Sequence, residues 1–97
     1  MAKEWTITEF SKTDDIYCRY LKRKNDGAEI TKAEMVRSGQ RATGRTSDGS
    51  VAFHFGNLTT ARAELGLPTL AEVGPMAHRP QKLIEFLKQR YPKALPQ

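Results

Sequence analysis

Helix start and stop signals are packed closely between Ile30 and Pro68, and they limit the possible folds more than any other feature of the chain. Thr31-Lys32-Ala33-Glu34 is a capping box. The Thr31 hydroxyl can accept from the Glu34 amide while the Glu34 carboxylate accepts from the Thr31 amide. Ile30 is placed to staple that start, Met35 and Val36 supply apolar contacts, and Gly39 reads as the end of a helix of about two turns. At the far end, Leu58, Ala61 and Leu65 share one helical face from a start at Asn57 or Thr59, and Gly66 with Pro68 stops the helix.

The stretch from Ser47 to Gly56 admits two conformations. At period two, Val51, Phe53 and Phe55 face one side behind an Asp48-Gly49 turn, which describes a hairpin strand. At helical period, Ser47 caps, Val51 and Phe55 lie four apart, and Gly56 closes the helix. Periodicity alone leaves both open.

Outside this region, Thr13 with Asp14 and Asp15 reads as the start of a first helix. Ile16, Tyr17, Tyr20 and Leu21 form its apolar stripe, Arg19, Lys22 and Arg23 lie opposite, and Gly27 is its left-handed stop. Pro80 suits the first turn of a last helix that carries Leu83, Phe86, Leu87 and Tyr91 on one face and ends at Pro92. His78 falls in the cap region of that helix. The expected organisation is an N-terminal segment 1–12, a module 13–68, a linker 69–79, a helix 80–91 and a disordered tail 92–97.

Ninety-seven residues suffice for one domain with a small core and no deep lidded pocket. The single cysteine, Cys18, excludes an internal disulfide, and with only His54 and His78 to join it a zinc site is not expected. Cys18 itself reads as ordinary core or semi-core. Lacking an apolar run of membrane length or a signal-like N-terminus, the chain is expected to be soluble and cytoplasmic, with no membrane partner.

The net charge of +5 is concentrated: residues 19–46 carry eight bases against three acids. Localised positive charge suits a polyanion. Arg41 and Arg45 flank Gly44 beside Thr46, Ser47 and Ser50, a mixture of guanidinium forks, hydroxyls and a helix start that can hold phosphate. Ser50 and His54, four apart on a helix, would face outward together and reach base edges. No Asp, Glu or Cys is spaced to make His54 a catalytic base, and no carboxylate pair invites a metal or acid–base chemistry. Trp5 and Phe10 are expected to cover an edge of the core.

Residues from about Asp15 to Pro68 resemble the homing endonuclease-associated repeat, a family of short helical DNA-binding modules found beside nucleases and in small phage or archaeal proteins. Ile30-Thr31 with Glu34, then Ser47 or Ser50, then His54-Phe55-Gly56-Asn57-Leu58, then Ala61 to Gly66-Leu67 carry the likeness. Where that family has bases before Phe-Gly, this chain has Ala52, Phe53 and His54. The resemblance implies a helix at Ser47–Phe55 acting as the recognition element of a helix-turn-helix-like unit.

The expectation is therefore a mainly α, compact helical domain with a helix-turn-helix-like core and a C-terminal helix; the alternative is an α+β fold with a hairpin at about 41–55. Its expected role is non-enzymatic binding of duplex DNA through Arg23, Arg37, Arg41, Arg45, Thr46, Ser47, Ser50 and His54, with no cofactor or metal. The rival is a small phage-type inhibitor that binds a host protein.

Overall fold

The computed structural model describes residues 4–76 and 79–93, and among them there are four helices and no strand. The first, α1 (Ile7–Asn25), starts at Thr6 and not at Thr13. Thr6 and Glu9 form a capping box, with the Glu9 amide donating to Thr6 Oγ1 at 3.1 Å and the Thr6 amide donating to Glu9 Oε1 at 3.0 Å. Thr13 lies inside the helix, its hydroxyl 2.9 Å from the Glu9 carbonyl oxygen. The earlier start lets Phe10, Thr13, Tyr17 and Tyr20 share one buried face. Gly27, at φ +93°, turns the chain out of α1 as expected.

The second helix, α2 (Lys32–Thr43), begins with the Thr31–Glu34 capping box seen in the sequence. Gly39 does not end it. The stop is Gly44, at φ +77°, whose amide donates to the Gln40 carbonyl at 2.8 Å. Gly39 is buried against the next helix, where an added Cβ would lie 2.8 Å from Phe55 Cε2 and 2.9 Å from Val51 Cγ1. Glycine here permits close approach of two helices.

The third helix, α3 (Asp48–Glu64), is one uninterrupted element capped by Ser47, whose Oγ accepts from the Ser50 amide at 3.1 Å. The hairpin alternative at 41–55 is not formed. Helical register buries Val51, Phe55, Leu58 and Ala61 together, whereas the strand register would have drawn the exposed Phe53 inward. Gly56 is likewise no stop: the side chain of Met76 fills the space where a Cβ would stand. Gly66, at φ +71°, ends this part of the chain as expected.

The stretch expected to be a linker is tied down over its described part. Leu70 and Val73 are buried. The Leu70 amide donates to the Tyr17 hydroxyl at 2.8 Å, and the Met76 amide donates to Thr60 Oγ1 at 2.8 Å. The last helix, α4 (Gln81–Arg90), follows Pro80 and buries Leu83, Ile84 and Leu87. The expectations placed on His78 and on residues 94–97 fall outside the described residues.

Helix α3 lies against both α2 and α4, and α1 packs on α2 and α4. The radius of gyration, 12.6 Å, is near the roughly 13 Å of a compact chain of 100 residues.

Candidate nucleic-acid interface

His54, expected at the surface, is inside. It is 3% exposed and stacks on Trp5 with ring centres 3.9 Å apart and planes within 7°. Its Nε2 lies 2.8 Å from Thr13 Oγ1. The Thr13 hydroxyl has one proton; given to the Glu9 carbonyl, it leaves the oxygen to accept from the Nε2–H. Burial, reinforced by the nearby Arg45 guanidinium, holds the imidazole pKa down to about 3. A neutral, enclosed histidine cannot reach a base edge. The outward pairing of Ser50 with His54 is therefore corrected, because Trp5 closes over the ring.

Arg45 is also committed within the fold. Its Nε and Nη2 donate to the two Glu9 carboxylate oxygens at 2.8 and 2.9 Å, and Nη2 donates to the Glu4 carbonyl at 2.9 Å. Its guanidinium carbon sits 4.0 Å from the Trp5 ring centre. Arg45 and His54 are both too close to that centre to share a face, so they take opposite faces of the indole. The Arg45 hydrogen bonds are the main reason the Glu9 carboxyl lies at about 2. What reads in the sequence as a phosphate contact is a clamp between the N-terminal segment and the end of α2.

The remaining α3 residues do not make a reading helix either. Nine of its positions are buried, and its exposed charges, Asp48 and Glu64, are acidic. Ser47 spends its oxygen on the cap. Thr46 is exposed, and its carbonyl accepts from Gln40 Nε2 at 3.0 Å. Arg62, on the last turn, is the core's internal cation: 3% exposed, it donates to Asp14 Oδ1 at 2.6 Å and to the Pro68 carbonyl at 2.9 Å. Tyr91 donates to the other Asp14 oxygen at 2.5 Å and lies 3.4 Å from Cys18 Sγ. Burial and that bond to Asp14 push the Tyr91 phenol up.

The arginines without a carboxylate partner among the described residues lie on α1 and α2. Of the chain's eight arginines, Arg45, Arg62, Arg79 and Arg90 are each paired with a carboxylate. Arg19, Arg23, Arg37 and Arg41 have no such partner among the described residues, and all four lie on these two helices. On α1, Lys12, Arg19 and Arg23 recur at i, i+7 and i+11, which is one stripe of a helix.

That stripe borders α2. Lys12 Nζ donates to the Ala42 carbonyl at 3.1 Å, and the Tyr20 hydroxyl lies 3.2 Å from Ser38 Oγ. Arg23 stands 4.8 Å over the Tyr20 ring, and Arg41 donates to the same Ser38 oxygen at 3.4 Å. Arg37 lies one turn before Arg41 on the outer side of α2. So Arg23 and Arg41, two of the expected contacts, belong to one basic face, while Arg37 borders the hollow that Asp48 and Ala52 of α3 also line. Arg19, read in the sequence on the same helix face as Arg23, joins it, and so does Lys12 unforeseen; the signal that would have found Lys12 is the Thr6–Glu9 box, which extends α1 back past it. Lys22, once grouped with them, is paired with Asp26 at 3.1 Å.

No described helix is long and apolar enough to cross a membrane. Comparison with protein-family models, curated proteins and solved structures gives no match. The resemblance over residues 15–68 thus has no family match beside it.

Proposed function

We propose that the protein is a non-enzymatic DNA-binding module that grips phosphates with the α1–α2 face. One observation carries this reading: the four arginines without a carboxylate partner among the described residues all lie on α1 and α2, where Arg19, Arg23 and Arg41 share a face with Lys12, while the other four are neutralised within the fold. Guanidinium groups so disposed offer paired donors to phosphate oxygens along a backbone. The resemblance to homing endonuclease-associated repeats points the same way, with the contact surface moved from α3 to α1 and α2.

Contacts of this kind give affinity without sequence choice and weaken as salt rises. Five phosphate contacts correspond to a log–log salt slope of about −4.5, and the Arg23→Ala/Arg41→Ala pair is expected to reduce its magnitude by about 1.8. Fluorescence anisotropy on a random duplex at several salt concentrations measures both. A double variant with unchanged affinity and slope would remove the assignment. If the wild type bound no DNA but retained one protein from a nuclease-treated lysate, the face would serve a protein partner instead.

A further inference from the structure

An open hollow of ≈ 370 Å³ lies where the first turns of α2 and α3 converge, lined by Lys32, Ala33, Val36, Arg37, Asp48 and Ala52. Its floor is apolar, with Val36 buried between the methyl groups of Ala33 and Ala52. Its rim is ionic, and none of the rim charges is spent. Neither Lys32 nor Arg37 is ion-paired among the described residues, and Asp48 pairs with no cation. Lys32 and Arg37 bring +2 and Asp48 brings −1, so the hollow holds a local surplus of +1. Elsewhere the fold matches its enclosed cations: Arg45 and Arg62 each meet a carboxylate. Because both helices begin here, the positive ends of their dipoles add to the pull on an anion.

We propose that this hollow seats one phosphodiester of a duplex backbone between Lys32 and Arg37. The Arg37 fork takes the two non-bridging oxygens, and Lys32 adds a point charge. The sugar carbons beside the phosphate lie on Ala33, Val36 and Ala52. One diester charge cancels the local surplus. The second charge of a terminal phosphate monoester would face Asp48 uncompensated, so Asp48 limits the hollow to a single negative charge. Arg37 lies one turn from Arg41, about 6 Å along the α2 axis, so a strand gripped by Arg41 and the α1 stripe runs on into the hollow. The inference rests on the DNA-binding reading. Of its five phosphate contacts, four belong to the α1–α2 face; the fifth, at Arg37, gains Lys32 as a second donor and Asp48 as a counterweight.

The test compares the wild type with Lys32→Ala/Arg37→Ala, Asp48→Asn and Glu85→Gln on a random duplex at several salt concentrations. Because both cations hold a single phosphate, the double variant is expected to lower the magnitude of the log–log slope by about 0.9 and to bind about tenfold more weakly at about 0.1 M salt. Asp48→Asn is expected to bind about threefold more tightly. Glu85 is an exposed acid on α4 outside the hollow, and Glu85→Gln changes the net charge by the same amount. That variant is expected to keep the wild-type affinity. In parallel, NMR titration with dimethyl phosphate, a diester without a base, is expected to shift the backbone amides of Lys32, Ala33 and Asp48 in the wild type and not in the double variant.

An unchanged slope in Lys32→Ala/Arg37→Ala, beside the expected loss in Arg23→Ala/Arg41→Ala, would overturn the hollow and leave the basic face standing. Equal gains from Asp48→Asn and Glu85→Gln would trace the effect to net charge and overturn it as well. Shifts with dimethyl phosphate, in a protein that binds no duplex, would support the phosphodiester site and overturn the DNA-binding reading. Equal shifts with acetate would make the hollow a site for any anion, a partner protein's carboxylate included, and sink the choice of phosphodiester. Silence in both experiments would overturn both.

Discussion

Asp14 illustrates how a single residue can be read for the wrong chemistry. In the sequence it looks like an exposed acid near a helix start, but in the fold it is fully buried and neutralises Arg62. Taking two charges out of water is costly, and the attraction repays that cost only when the hydrogen bonds around the pair are complete. Here they nearly are: Tyr91 serves one Asp14 oxygen, Arg62 the other, and Pro68 takes a further guanidinium proton. Asp14→Ala would leave Arg62 as a buried, uncompensated charge, and a loss of about 3–5 kcal/mol is expected. Asp14→Leu/Arg62→Met, which removes both charges, is expected to lose less than Asp14→Ala alone. Urea unfolding of the three proteins decides this. A cost below about 1 kcal/mol for Asp14→Ala would mean that Arg62 finds another partner or water.

At the scale of elements, two caps and two glycine stops were readable, whereas the Thr13 start and two glycines inside helices were misread. The Thr31–Glu34 box, the Ser47 cap and the stops at Gly27 and Gly66 are local chemistry, and the structure has them where the sequence put them. Gly39 and Gly56 looked like stops for the same local reason, yet both are helical and face a close neighbour. Whether a glycine ends a helix or admits another element depends on what lies opposite, which spacing along one chain does not contain. The burial of His54 escaped notice likewise, because it depends on Trp5, which lies forty-nine residues away in the chain. Helical register at Ser47–Phe55 was within reach, with Val51 and Phe55 inward and Phe53 outward; the burial of His54 was not.

The glycines supply a direct test. Gly39→Ala sets a methyl against Phe55 and Val51 at under 3.0 Å, and an overpacking loss of about 1–3 kcal/mol is expected. Gly49→Ala, in the first turn of α3 with nothing within 4 Å, is expected to gain about 0.5–1 kcal/mol. Thermal melts of the two variants should move in opposite directions, and a stabilised Gly39→Ala would refute the close α2–α3 contact.

For the whole molecule, the distribution of charge fixes how the fold responds to acid. Glu9 and Arg45 fasten the N-terminal segment and close Trp5 over His54, so two depressed groups share one junction. His54 is held at about 3 in the fold against 6.5 when free, so between those values the unfolded chain binds the extra proton. Stability is therefore full above about pH 6.5 and declines as pH falls toward 3. The slope approaches about 1.4 kcal/mol per unit, or roughly 2 kcal/mol between pH 7 and 5. Glu9, held at about 2 against 4.5, adds its own loss only below about pH 4.5. The wild-type urea midpoint is thus expected to fall between pH 7 and 5. In His54→Gln, which keeps a polar group for Thr13 but cannot titrate, it should stay flat until about pH 4.5. His78 is the chain's other histidine. His78→Gln, which leaves His54 in place, is expected to retain the wild-type slope. If the wild type were flat between pH 7 and 5, or if His78→Gln and not His54→Gln removed the slope, then His54 would be open to water and the Trp5 closure that defines this end of the molecule would be wrong.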